Sequence, residues 1–93
     1  MLQYHAAYYL PKPGERMVVA EVLDFPGVAS QGFDLADART MIASALEEVA
    51  ECYLEEGRLL PAPSPNASDG EADLIELLPL AVTVARAPTS IRR

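Results

Sequence analysis

The chain has 93 residues, 51% of them apolar, with fourteen acidic against seven basic side chains and a formal net charge of −7. That length makes one domain, near the lower end of what buries a working core without covalent staples. So acidic a balance argues against nucleic acid as a direct partner, because phosphate binding needs clustered Lys and Arg, and here Lys12, Arg16, Arg39, Arg58, Arg86, Arg92 and Arg93 are scattered except for the terminal pair.

Residues 2–10, LQYHAAYYL, alternate imperfectly and read as a first strand, with Leu2, Tyr4, Ala6, Tyr8 and Leu10 inward and Gln3, His5, Ala7 and Tyr9 on the other side. The turn-formers PKPGER, from Pro11 to Arg16, then make a hairpin connection. Met17 to Leu23 pairs back as the second strand, placing Val19, Glu21 and Leu23 on one face and Ala20 and Val22 on the other. Pro26 disfavours helix at Phe25 and Gly27 permits the backbone sign change that reverses the chain. A short third strand follows from Val28 to Gln31. Gly32 is expected to repeat that sign change just before Asp34, whose carboxylate can cap a helix beginning at Leu35.

The helix is expected from about Leu35 to Glu56, with Gly57 as its stop. At about 100° per residue, Leu35, Ala38, Ile42, Ala45, Leu46, Val49 and Tyr53 form one stripe facing the sheet. Asp37, Thr40, Ser44, Glu47, Glu48, Glu51 and Glu55 collect on the opposite face. Asp34 and Asp37 suit the positive end of the helix dipole, but the glutamates crowd toward its negative end, at a cost of a few tenths of a kcal/mol each. Local stability would prefer lysines there, so something other than stability selects that face. Cys52, the only cysteine, allows no internal disulfide and no Cys-based zinc site and reads as a small half-buried apolar residue.

From Leu59 to Asp73 the prolines and small polar residues make a loop, expected to be mobile near 66–70. Leu74 to Ala85 is the last strand. Pro79 relegates its first half to an edge or bulge and leaves Leu80, Val82 and Val84 as the better paired segment. The same apolar stretch is too short to cross a bilayer and is broken by Glu76 and Pro79. With no basic, apolar leader ahead of Leu2, the expected compartment is the cytoplasm. The domain is expected over residues 1–87 with a tail at 88–93. The order β-β-β-α-β gives an α+β fold in two layers, an antiparallel sheet with one helix on one face. The bare face of the sheet then needs cover, and dimerisation through that face or an edge strand is the economical solution.

Chemistry finds little footing. His5, the only histidine, has no neighbouring Ser or Cys motif and reads as structural; no nucleophile elbow, P-loop or histidine pair is present. Glu21 and Asp24 lie close enough to suggest a magnesium site, but the sequence names no further ligands, so no metal or cofactor is expected. Tyr4 and Tyr8 read as core rather than as a base-stacking platform, while Tyr9 is a candidate for a subunit interface. A charged helix face is commonly just solvated; the alternative for Glu47, Glu48, Glu51 and Glu55 is a docking surface for a basic protein, where complementary charge speeds association and selects the partner.

The run E-V-L-D-F-P-G-V-A-S-Q-G, followed by L-A-D-A, resembles the N-terminal domain of the HicB antitoxin family. Asp24, Phe25, Pro26 and Gly27 stand for that family's Pro-Gly corner. Ser30, Gln31 and Gly32 stand for its glycine turn, and Asp37 and Ala38 for its acidic-Ala pair. Leu60, Pro61, Ala62 and Pro63 are similar to the Leu-Pro-x-Pro after its helix. The resemblance implies a non-enzymatic antitoxin that binds and inhibits HicA, a small basic RNA-cleaving toxin with a catalytic histidine. Many family members also carry a C-terminal DNA-binding domain, and the few residues after the last strand lead us to expect none here. A stand-alone oligomeric binding or scaffold protein without a toxin is the other reading, and a metal-dependent nuclease using Glu21 and Asp24 ranks behind both.

Overall fold

A computed structural model describes residues 2–80. It contains strands β1 (Gln3–Tyr9), β2 (Val18–Val22) and β3 (Ala29–Gly32), helix α1 (Leu35–Glu55) and strand β4 (Leu74–Pro79). The four strands form one antiparallel sheet in the order β3-β2-β1-β4. The fold class is therefore the expected one, α+β with β-β-β-α-β order and a single helix on one face.

Strand alternation decides what faces the helix. Tyr4, Ala6 and Tyr8 of β1 and Val18, Ala20 and Val22 of β2 are buried with Ala38, Ile42, Leu46 and Ala50 of α1. Leu74 pairs with Tyr8 and Leu78 with Tyr4, which extends that apolar face onto β4. Leu2 and Leu10, expected inward, are instead exposed, because the ladder ends one residue inside each of them. Ala50 joins the buried stripe, while Leu35, Ala45, Val49 and Tyr53 pack at its margins. Phe25 is also fully buried: its ring lies 5.2 Å from Tyr4 and 5.1 Å from Tyr53, so the Pro-Gly corner is part of the core.

Both helix ends are closed by local chemistry. Asp34 takes an extended backbone and its Oδ1 accepts the Asp37 amide at 2.8 Å, while Asp37 Oδ2 accepts the Phe33 amide at 2.9 Å. At the other end Gly57 has φ 72°, its amide reaches the Leu54 carbonyl, and the Arg58 amide reaches that of Tyr53. Those two bonds make a Schellman motif. Gly27 has the positive φ expected of the corner, 87°. Gly32 does not, and the expected sign change there is corrected: a Cβ at that position would run into the Asp37–Ala38 backbone, so glycine serves close approach of α1 to β3.

The last strand lies at an edge of the sheet among the described residues, as Pro79 led us to expect. Its first half, Leu74–Pro79, pairs with β1 along its whole length, and Pro79 is tolerated because β4 is an edge. Leu80 adds a bond to the Leu2 carbonyl. Val82, Val84, the boundary at residue 87 and the tail at 88–93 lie outside the described residues.

Candidate protein-docking surfaces

Two sides of the molecule are candidates for docking a partner, the outward side of α1 and the sheet face away from it. With about 3.6 residues per turn, the stripe through Ala38, Ile42, Leu46 and Ala50 leaves Glu47, Glu48, Glu51 and Glu55 on the outward half of α1. Glu47, Glu48 and Glu55 are exposed and Glu51 is half-buried. The arginines near the two helix ends are committed elsewhere. Arg39 meets Glu76 of β4 in a two-pronged contact, 2.8 and 3.0 Å, and lies 6.0 Å from the Tyr8 ring centre. Arg58 pairs with Glu56 at 2.9 Å and stacks 3.8 Å over Tyr53. The last turn of α1 carries no basic residue, so its negative face runs into the negative end of the dipole.

The Arg39–Glu76 pair also tunes the core edge. Arg39 holds the Glu76 carboxyl below its usual range, and burial, with Glu76 beside it, pushes the Tyr8 phenol up to about 12.

The other sheet face presents His5, Ala7 and Tyr9 of β1, Val19 and Glu21 of β2, and Ile75 and Leu77 of β4. The chain covers part of this face itself. On the helix side, the Tyr4 hydroxyl donates to the Pro61 carbonyl at 2.7 Å. The connection then reaches the far side, where the Ser64 amide donates to Asp24 Oδ2 at 3.0 Å and Asp69 Oδ2 lies 2.7 Å from the Tyr9 hydroxyl. It ends with the Asp73 amide on the Tyr8 carbonyl, and Asp73 Oδ2 accepts the Leu10 amide. Ala7, on the face so crossed, has no solvent exposure. The segment expected to be mobile near 66–70 is thus a strap with fixed attachment points, and the cover expected from a second subunit comes in part from within.

Asp24 is the strap's first anchor. Its Oδ1 accepts the His5 amide at 2.8 Å, where β2 can no longer continue the ladder, and its Oδ2 meets His5 Nδ1 at 2.9 Å. The side chain is 3% exposed. Burial by itself would raise its pKa; the His5 ring, the His5 amide and the Ser64 amide outweigh burial and hold the carboxylate below its ordinary value. A His–Asp pair is two-thirds of a hydrolytic triad, but among the described residues no hydroxyl is hydrogen-bonded to the His5 ring: Ser64 offers its amide to Asp24, and its Oγ accepts the Asn66 amide at 3.3 Å. The arrangement fastens the strap.

Glu21 and Asp24, weighed as a magnesium pair, are not brought together; Glu21 turns to Tyr9 at 2.6 Å and Asp24 to His5. Among the described residues no group of three or more His, Cys, Asp and Glu is placed to hold a metal ion. Tyr9, a candidate for a subunit contact, spends its hydroxyl on Glu21 and Asp69. Sequence reasoning passed over Phe33, which stands 82% exposed beside the edge strand β3. Its position between Gly32 and the cap Asp34, outside the helix stripe, was the available signal. Cys52 is exposed rather than half-buried.

One helix laid on a four-stranded antiparallel sheet in this chain order defines the class of fold. It is the fold of the HicB antitoxin N-terminal domain. The crystal structure of that domain from Burkholderia pseudomallei is similar at a TM-score of 0.67 and 19% identity, covering 87% of this chain and 100% of that one. The longer Burkholderia pseudomallei antitoxin HicB is similar at 0.69 and 19% identity, covering 92% of this chain and 67% of that one. No protein-family model and no curated protein matches the sequence. At such identity the likeness is one of fold.

Proposed function

We propose that this chain is an antitoxin of the HicB kind, which neutralises a small, basic, HicA-like RNA-cleaving toxin by lying against it. The observation that carries the reading is the shared fold over the whole of a domain whose protein is an antitoxin. The chemistry of the surface supports it. All fourteen acidic residues but only four of the seven basic ones fall within the described part, so that part is more acidic than the whole chain. A toxin built to hold phosphate is its electrostatic complement. Glu47, Glu48, Glu51 and Glu55 form the docking face in this reading, and the antitoxin supplies no catalytic group.

Co-expression with the product of an adjacent gene encoding a small basic protein tests the assignment. The toxin's growth arrest should be relieved by this chain; equal toxicity with and without it ends the proposal. With the pair in hand, replacing the four glutamates by Gln should slow association by about tenfold at low salt and flatten its salt dependence. Unchanged kinetics would move the interface off α1.

A homo-oligomer accompanies this reading. Neither outer edge, β3 or β4, is paired among the described residues, and Phe33 projects beside β3. Sedimentation should show a dimer or larger species, with Phe33→Ser shifting it toward monomer.

A further inference from the structure

Two leucines flank the turn that closes α1, and neither turns inward. Leu54, in the last turn of the helix, is 49% exposed, and Leu59 is 92% exposed, more than any other large apolar side chain among the described residues. A leucine so open adds almost nothing to the core, so folding does not account for it. Its backbone is nonetheless fixed on both sides. Before it, the Arg58 amide is bound to the Tyr53 carbonyl and the Arg58 guanidinium stacks 3.8 Å over the Tyr53 ring. After it, Leu60 packs against the core and the Pro61 carbonyl accepts the Tyr4 hydroxyl. Leu59 is held out in solvent between two fixed points, which lowers the ordering cost of burying it against another molecule.

The leucines stand at the end of the acidic face. Leu54 lies one turn beyond Glu51 and two turns beyond Glu47 on the same side of α1, with Glu55 next to it in the chain. Arg58, the basic residue between the two leucines, is paired with Glu56 at 2.9 Å. An apolar centre with a charged rim is the make-up of a protein–protein contact, in which the rim governs encounter and the buried centre governs release. We infer that Leu54 and Leu59 are the apolar anchors of the docking face, received by an apolar recess bordered with Lys and Arg on the basic partner. The inference rests on the antitoxin reading and deepens it: the glutamates draw the partner in, and the leucines hold it. A second copy of this chain would set the same glutamates against their like, so the negative rim favours the basic partner.

Association and dissociation rates of the full chain with the toxin it neutralises, measured for Leu54→Ser and Leu59→Ser, test the anchors. Each variant should release the toxin about ten- to a hundredfold faster, the equivalent of leaving one leucine side chain unburied. Its association rate, and the salt dependence of that rate, should stay at the parent's. Leu59→Met keeps the apolar bulk and should dissociate as the parent does. Urea midpoints equal to the parent's show that the variants are folded. Release unchanged in either serine variant overturns the inference and leaves the antitoxin reading standing. So does a serine variant that alters sedimentation of the chain alone but not toxin release, which would give the leucines to a second copy. A parent chain that relieves no toxin ends the antitoxin reading, and the anchors with it.

Discussion

Gly32 sets the distance between helix and sheet through a carbon it lacks. A Cβ there would meet Asp37 C at 2.7 Å and Ala38 Cα at 2.8 Å, with the Ala38 nitrogen closer still, and backbone atoms cannot rotate aside. Gly32→Ala should therefore cost about 2–3 kcal/mol, the upper part of the range for overpacking, in urea unfolding. A loss below about 0.5 kcal/mol would show that α1 can slide away. Asp24 is the second residue on which much depends, because three donors converge on one nearly buried carboxylate. Asp24→Asn sets an NH2 against one of them and should cost about 1–3 kcal/mol. Since the folded pKa lies below the unfolded one, this stabilisation is present above the ordinary carboxylate range and is lost as pH falls below about 4. Urea midpoints at pH 7 and pH 3 should converge for parent and Asn variant at the acid end; a constant gap would place the effect elsewhere.

At the scale of elements, what was legible in the sequence is what local chemistry decides. The cap at Asp34, the stop at Gly57 and the apolar stripe of α1 depend on residues within a turn or two of each other, and all three stand in the structure. What escaped was held by distant polar pairs. Nothing local to Ser64 or Asp69 announces Asp24, forty residues away, or Tyr9, sixty away, so a tethered strap read as a free loop. Pro79 was legible in part: it implied an edge or a bulge, and only the sheet order settles that β4 is an edge. The same distinction bears on the candidate site. The glutamate face could be named from periodicity alone, whereas its partner could be suggested only by resemblance. Glu55 shows the tension on that face, an anion in the last turn with no basic residue near it in that turn. Glu55→Lys should raise stability by about 0.3–1 kcal/mol through the helix dipole while slowing association with a basic partner. If thermal unfolding shows no gain, the dipole argument for functional selection of this face loses its footing.

For the whole molecule, salt separates stability from recognition because it acts on the two with opposite sign. A chain of net charge −7, with Glu47, Glu51 and Glu55 spaced one helical turn apart, repels itself when folded. Raising ionic strength from 0.01 to 0.15 M shortens the screening length from about 30 to about 8 Å. That relieves repulsion between turns more than it weakens the close Arg39–Glu76 contact, whose atoms lie 2.8 Å apart. Folding stability should therefore rise by a few tenths of a kcal/mol, on the scale of one or two like-charge helix pairs. Association with a basic toxin draws on the same net negative charge as its attraction, so its rate should fall over the same salt range. Unfolding curves and stopped-flow association, run on one sample across that range, give both slopes. A solvated face with no partner would show only the first. Stability and association rate falling together with salt would mean that ion pairs within the fold outweigh the repulsion, and that the acidic surface is a brace for the chain itself.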